Sequence, residues 1–205
     1  HVVICLDNSG SMKEKDAAEE SDSGEVRSRR RCDAAQTAAR KLLSDLIEVR
    51  DLRTLVSVLL FNDHPTVRVS AARLTQAVAE SACGTPPPTP RDGTNYSVAW
   101  GAVETCIADA QRVAAGEPFA HKVIFLSDGR PGELNVTTPA FGSEPQTSKY
   151  RKQVRPSAPA IVQRLSRAHG GNFSLFAIGV GNEEMDWLQR LTKIATAEGG
   201  EGQFD

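Results

Sequence analysis

The sequence predicts an α/β fold: a doubly wound, mostly parallel central sheet flanked by helices, with one short antiparallel edge strand. Two observations carry that prediction. Short continuous apolar runs recur at Val2–Leu6, Thr54–Phe61, His121–Leu126 and Phe173–Val180, as strands buried on both faces require. Between them lie stretches with apolar residues at helical spacing, the alternation that a parallel sheet with crossover helices produces.

The first run, VVICL, stops at Asp7 and passes into Asn8, Ser9, Gly10 and Ser11, which are small and mostly oxygen-bearing. Lys13 to Arg31 is acidic and then basic, ends in RSRRR, and shows no apolar periodicity. It is expected to be a mobile polar insertion over about 13–31, with the arginines a solvated patch and not a nucleic-acid or targeting signal. Asp33 to Val49 predicts an amphipathic helix burying Ala35, Ala39, Leu42, Leu43, Leu46 and Ile47. After the second core strand, Thr66–Ser70 alternates as an edge strand does, and Leu74–Ala82 suits a short helix. The proline-rich GTPPPTPRDG loop then delivers the chain to Thr94 and Asn95, where a helix begins with Val98, Gly101, Ala102, Thr105, Cys106 and Ile107 on its buried stripe. A second polar insertion is expected from Arg130 to Ser157, broken by prolines. Helices over Ala158–His169 and Glu183–Ala197 bracket the last long apolar run, and Gly202–Asp205 begins a final strand.

At 205 residues, 40% hydrophobic and 24% charged, the chain suits a single domain, 1–205, with a substantial core. A formal net charge of -2 gives no global field for nucleic acid or an anionic membrane. No apolar run nears the roughly 20 residues that span a bilayer, so no membrane insertion is expected. A chain opening directly on a strand reads as part of a larger multidomain protein. Cys5 and Cys106 fall at buried positions, whereas the spacing leaves a Cys32–Cys83 disulfide open. Four free thiols, the favoured reading, place the protein inside the cell.

The chemistry gathers at strand ends. Asp7, Ser9 and Ser11 follow one core strand, Asp128 ends another, and Thr94 opens a helix. In a doubly wound sheet these loops can share the carboxyl-end crevice where ligands bind. Two carboxylates and three hydroxyls form a hard, all-oxygen set that selects Mg²⁺, with Mn²⁺ or Ca²⁺ as alternatives, over zinc or copper.

The motifs DNSGSM, DGTN and LSDG, in that order, resemble the metal-ion-dependent adhesion site of von Willebrand factor type A domains. The resemblance extends over nearly the whole chain, to the AIGVG strand end. It implies a Rossmann-like fold and a metal held by Asp7, Ser9, Ser11, Thr94 and Asp128. It also implies a non-enzymatic adhesion or scaffolding module in which the cation receives an exposed Asp or Glu of a protein partner. The two polar insertions are longer than is usual in the family and would rim the site. Lys13-Glu14-Lys15 offers one carboxylate where some members bind a second ion, so no second ion is expected. The chain stops near Phe204, before the helix whose shift regulates affinity in some members.

Rival readings weigh less. Asp92-Gly93-Thr94 follows prolines, not a strand, and lacks a phosphatase's earlier Asp. Gly179-Val180-Gly181 meets Glu184 where a dinucleotide fingerprint needs its third glycine. A metal-dependent phosphoester hydrolase is the alternative from another class, with Glu133 or His64 as the nearest candidate bases. His121 and His169 are expected at the surface or at strand ends, and Trp100 and Trp187 in helix packing. Arg91, Arg130, Lys149, Arg151, Lys152 and Arg155 could give positive potential near the metal and steer an acidic partner.

Overall fold

The computed structural model describes residues 1–20, 26–49, 53–84, 88–115, 117–129, 157–181 and 185–205. Its centre is β1 (Val2–Asp7), wholly buried and paired in parallel with β4 (Leu55–Phe61) and β6 (His121–Ser127). Outside these lie β5 (Pro65–Arg73), β7 (Phe173–Gly179) and β8 (Glu201–Phe204), giving the order β5-β4-β1-β6-β7-β8. Only β5 runs antiparallel within this sheet. It extends over nine residues, longer than the alternation at Thr66–Ser70 suggested, and as an edge strand it tolerates Pro65.

Successive residues of β1 serve opposite faces, as the strand's two-residue period dictates. Val2, Ile4 and Leu6 pack with α1 (Arg31–Glu48) and α2 (Gln76–Cys83) through Cys32, Ala35, Ala39, Leu43, Ala79 and Ala82. Val3 and Cys5 face α3 (Tyr96–Val113), α4 (Ala158–His169) and α5 (Asp186–Ala197). This second face is the aromatic one, with Trp100 stacked on Phe125 at 5.4 Å between ring centroids. On α3 the buried stripe runs through Ala99, Trp100, Val103 and Ala110 as well as Val98, Ala102, Cys106 and Ile107, while Thr105 faces solvent. The expected stripe was thus rotated slightly, because the large rings set the helix's orientation against the sheet. Trp187 packs against the same core.

The stretch after Met12 departs most from expectation. Gly10–Lys13 forms one turn of 3-10 helix, and β2 (Ala17–Glu20) pairs antiparallel with β3 (Val26–Arg29) in a separate two-stranded ribbon. The hairpin is not written in apolar alternation. Its base is tied by polar groups: Arg31 N–H donates to Glu14 C=O at 3.0 Å, and the Ser28 hydroxyl donates to Lys15 C=O. Arg31, read as part of a solvated patch, is instead a buried residue opening α1. The insertion over 130–156, with Arg130, Glu133, Lys149, Arg151, Lys152 and Arg155, lies outside the described residues, as do 182–184 ahead of α5.

All four cysteines are buried free thiols. Among the described residues no helix is long and apolar enough to cross a membrane.

Candidate metal centre

The order of the sheet reverses direction between β1 and β6, which opens a crevice at their carboxyl ends. Asp7 is the last residue of β1, and Asp128 directly follows β6. Both are almost wholly enclosed, at 1% and 2% exposure. The parallel register ends at Leu6↔Leu126, so Ser127 comes opposite Asp7, and its hydroxyl donates to Asp7 Oδ2 at 2.5 Å. Asp7 Oδ1 accepts from the Ser9 backbone N–H at 2.8 Å. Tyr96 OH, from the first turn of α3, donates to Ser127 Oγ at 2.8 Å. Burial, and secondarily the Asp128 charge, raises the Asp7 carboxyl to about 7 despite the opposing hydrogen bonds from Ser127 and Ser9.

The hydroxyls arrive on two loops. Ser9 is buried and Ser11 exposed, with their Oγ atoms 3.2 Å apart, so the mouth of the crevice lies at Ser11. Thr94 is buried just ahead of the α3 N-cap Asn95, whose side chain accepts from Val98 N–H at 2.9 Å. Its loop is fastened to the Ser9 loop by Gly10 N–H donating to Asp92 C=O at 3.1 Å and Arg91 N–H donating to Asn8 C=O at 3.2 Å. The loop after β4 braces it from behind, with Asp63 Oδ2 accepting from Gly93 N–H at 3.1 Å. A Cβ at Gly93 would stand 2.7 Å from Asp63 Oδ1, so glycine there permits the contact.

These contacts bring the loops carrying Asp7, Ser9, Ser11, Thr94 and Asp128 to one end of the sheet. The donors suit a hard divalent cation: two enclosed carboxylates with hydroxyls beside them, and no sulfur or imidazole in the set. Asn8 Oδ1 adds a further sign, since it is buried with no hydrogen-bond partner among the described residues, a state that a water held at such a site would relieve. Among the described residues no group of three or more His, Cys, Asp and Glu side chains is arranged to hold a metal, so any ion here depends on the hydroxyls. Of the candidate bases for hydrolysis, His64 is exposed in the loop after β4 and Glu133 lies outside the described residues.

Several groups at the site escaped the sequence. Arg31 Nη1 donates to Asp128 Oδ2 at 3.3 Å, while its Nε and Nη2 donate to Asp16 at 2.8 and 2.5 Å. In a run of four arginines, nothing singles out the one that turns inward. Ser127 and Tyr96 were accessible only through strand register. His121 opens β6 at the opposite end of the sheet, a strand-end position as expected, where it is buried and edge-on to His169 at 4.7 Å between centroids.

The fold and this crevice define a Rossmann-like α/β domain with an oxygen-lined switch point. The chain belongs to the von Willebrand factor type A domain family, whose profile matches residues 2–130. No curated protein matches it. Among solved structures it is similar to the PilB minor pilin from Streptococcus sanguinis, with 16% identity, a TM-score of 0.60, and coverage of 100% of this chain and 56% of that one. The pilus adhesin SpaC from Lactobacillus rhamnosus GG matches with 14% identity and a TM-score of 0.62 over 95% of this chain and 27% of that one. The SpRpn10 VWA domain matches with 12% identity and a TM-score of 0.58 over 100% and 86%. The chain thus spans just over half the length of the minor pilin.

Proposed function

We propose that the chain is a non-enzymatic protein-binding module, adhesive or scaffolding, that works through a divalent cation. Asp7, Ser9, Ser11, Thr94 and Asp128 hold the ion, Mg²⁺ by preference with Mn²⁺ or Ca²⁺ as substitutes. The observation that carries this reading is the pair of enclosed carboxylates flanking the switch point, at 1% and 2% exposure, beside paired serine hydroxyls. Two buried acids in one crevice repel each other and lack water, and a cation removes both costs. The ion would supply an electrophilic docking point for a carboxylate. The exposed Ser11 marks where an Asp or Glu side chain of a partner protein would enter.

Calorimetric titration with Mg²⁺ and Mn²⁺ tests the first half. Binding is expected in the wild type and not in Asp7→Ala. Capture of an immobilised carboxylate-bearing peptide library tests the second, and should disappear in EDTA. Wild-type protein that takes up neither ion would end this reading.

A further inference from the structure

The Asp16–Arg31 pair stands at the junction of the hairpin and the crevice. Asp16 directly precedes β2 and Arg31 lies two residues past the end of β3, so their ion pair closes the base of the hairpin. The guanidinium makes a two-point contact with Asp16 through Nε and Nη2, at 2.8 and 2.5 Å, and offers Nη1 to Asp128 at 3.3 Å. It is enclosed, with 4% side-chain exposure, whereas Asp16 keeps 31%. Room for it comes from Gly181, after β7: a Cβ there would lie 2.4 Å from Arg31 Nε, and the residue's φ of +96° favours glycine in any case. The segments before β2 and after β6 and β7 thus build a fitted socket for one guanidinium beside a candidate metal ligand.

A positive charge touching Asp128 should oppose a cation. Asp16 resolves that conflict. Held in a two-point ion pair, the Asp16 and Arg31 charges cancel, Arg31 acts on Asp128 as a hydrogen-bond donor that fixes one carboxylate oxygen, and the other remains available. Freed from Asp16, the same guanidinium would place its charge on Asp128 and compete with the ion. Resting on the metal reading above, we propose that the Asp16–Arg31 pair sets the cation affinity of the site and makes it depend on the seating of the β2–β3 hairpin. Asp16 and Arg31 are positioning residues, not ligands. A partner that lifts the hairpin would loosen the ion, and one that presses it down would retain it.

The test is Mg²⁺ and Mn²⁺ titration of the full chain by calorimetry. Asp16→Asn should weaken binding at least tenfold, and Asp16→Glu should keep most of the affinity. The double variant Asp16→Asn/Arg31→Met should bind better than Asp16→Asn alone, because it removes the uncompensated charge. If the double variant loses its cooperative unfolding transition, Asp16→Lys replaces it and must weaken binding further than Asp16→Asn does. A wild type that binds metal together with an Asp16→Asn variant within twofold of it overturns the proposal while leaving the metal reading standing. A double variant no better than Asp16→Asn does the same. Absence of binding in the wild type removes both. In EDTA, urea unfolding of the single and double variants should show coupling between Asp16 and Arg31, and zero coupling would contradict the pair without any metal present.

Discussion

The two ends of the central sheet both bury titratable groups, and they solve the problem differently. At the amino end, His1 Nδ1 and His121 Nδ1 lie 3.2 Å apart, His1 Nε2 meets Ser57 Oγ at 2.9 Å, and His169 packs on His121. A neutral imidazole is both donor and acceptor, so histidines can satisfy one another without an ion. Burial, reinforced by His169, lowers His121 to about 4 and favours that neutral form. At the carboxyl end, Asp7 and Asp128 are acceptors only once ionised. They must recruit donors from Ser9, Ser127 and Arg31, and they still repel each other. The amino end is chemically self-contained, and the carboxyl end depends on donors brought to it from other loops.

The largest expected effect would break this contrast outright. Asp7→Ala or Asp128→Ala should lower Mg²⁺ affinity more than a hundredfold in calorimetry, whereas His121→Phe should leave it unchanged. Equal losses from both ends would mean that the variants act through the fold and not through the site.

The pH dependence of the metal-free protein sharpens the comparison, because the two ends carry opposite signs. Asp7 has a folded value raised to about 7, so between about 4 and 7 the folded state holds a proton that the unfolded state has released. Its contribution is present at low pH and is lost as pH rises through 7, by up to about 4 kcal/mol. His121 has a folded value lowered to about 4. It stabilises above the ordinary histidine range, and that contribution, up to about 3 kcal/mol, is lost as pH falls toward 4. Urea unfolding in EDTA across pH 4–7 should therefore show stability rising with pH in Asp7→Asn and falling in His121→Phe. The wild type should be flatter than either.

A smaller effect is expected at Ser127, whose hydroxyl joins Asp7 to Tyr96. Ser127→Ala leaves Asp7 Oδ2, Tyr96 OH and the Gly129 N–H each short of a partner and should cost about 1–3 kcal/mol of metal-free stability by denaturant melts. Smallest of all, His64→Ala in the exposed loop should change neither stability nor Mg²⁺ affinity measurably.

The arrangement of strands was legible because buried parallel strands must be continuous apolar runs, and VVICL, TLVSVLLF, HKVIFL and FSLFAIGV satisfy that requirement on their own. Two of these runs end where oxygen-bearing residues begin, and a helix start follows the proline-rich loop, so Asp7, Ser9, Ser11, Asp128 and Thr94 could be named as candidates from the chain alone. The hairpin after Met12 could not. Its strands carry no alternating apolar signal, and its base is held by hydrogen bonds from Arg31 and Ser28 that depend on the chain folding back.

What the amino-acid order determined by itself was local: which segments are strands or helices, which strand ends carry hard oxygens, and hence the fold class and the candidate ligands. Periodicity and composition are properties of neighbouring residues, so they survive in one dimension. What only the tertiary structure decided was which charged groups leave water. Arg31 is one of four arginines in RSRRR, and it reaches a socket between Asp16, Asp128 and Gly181, groups up to 150 positions away. Burial of a charge depends on distant partners arriving to meet it. Register did the same for Ser127, which faces Asp7 only because β1 and β6 align at Leu6 and Leu126.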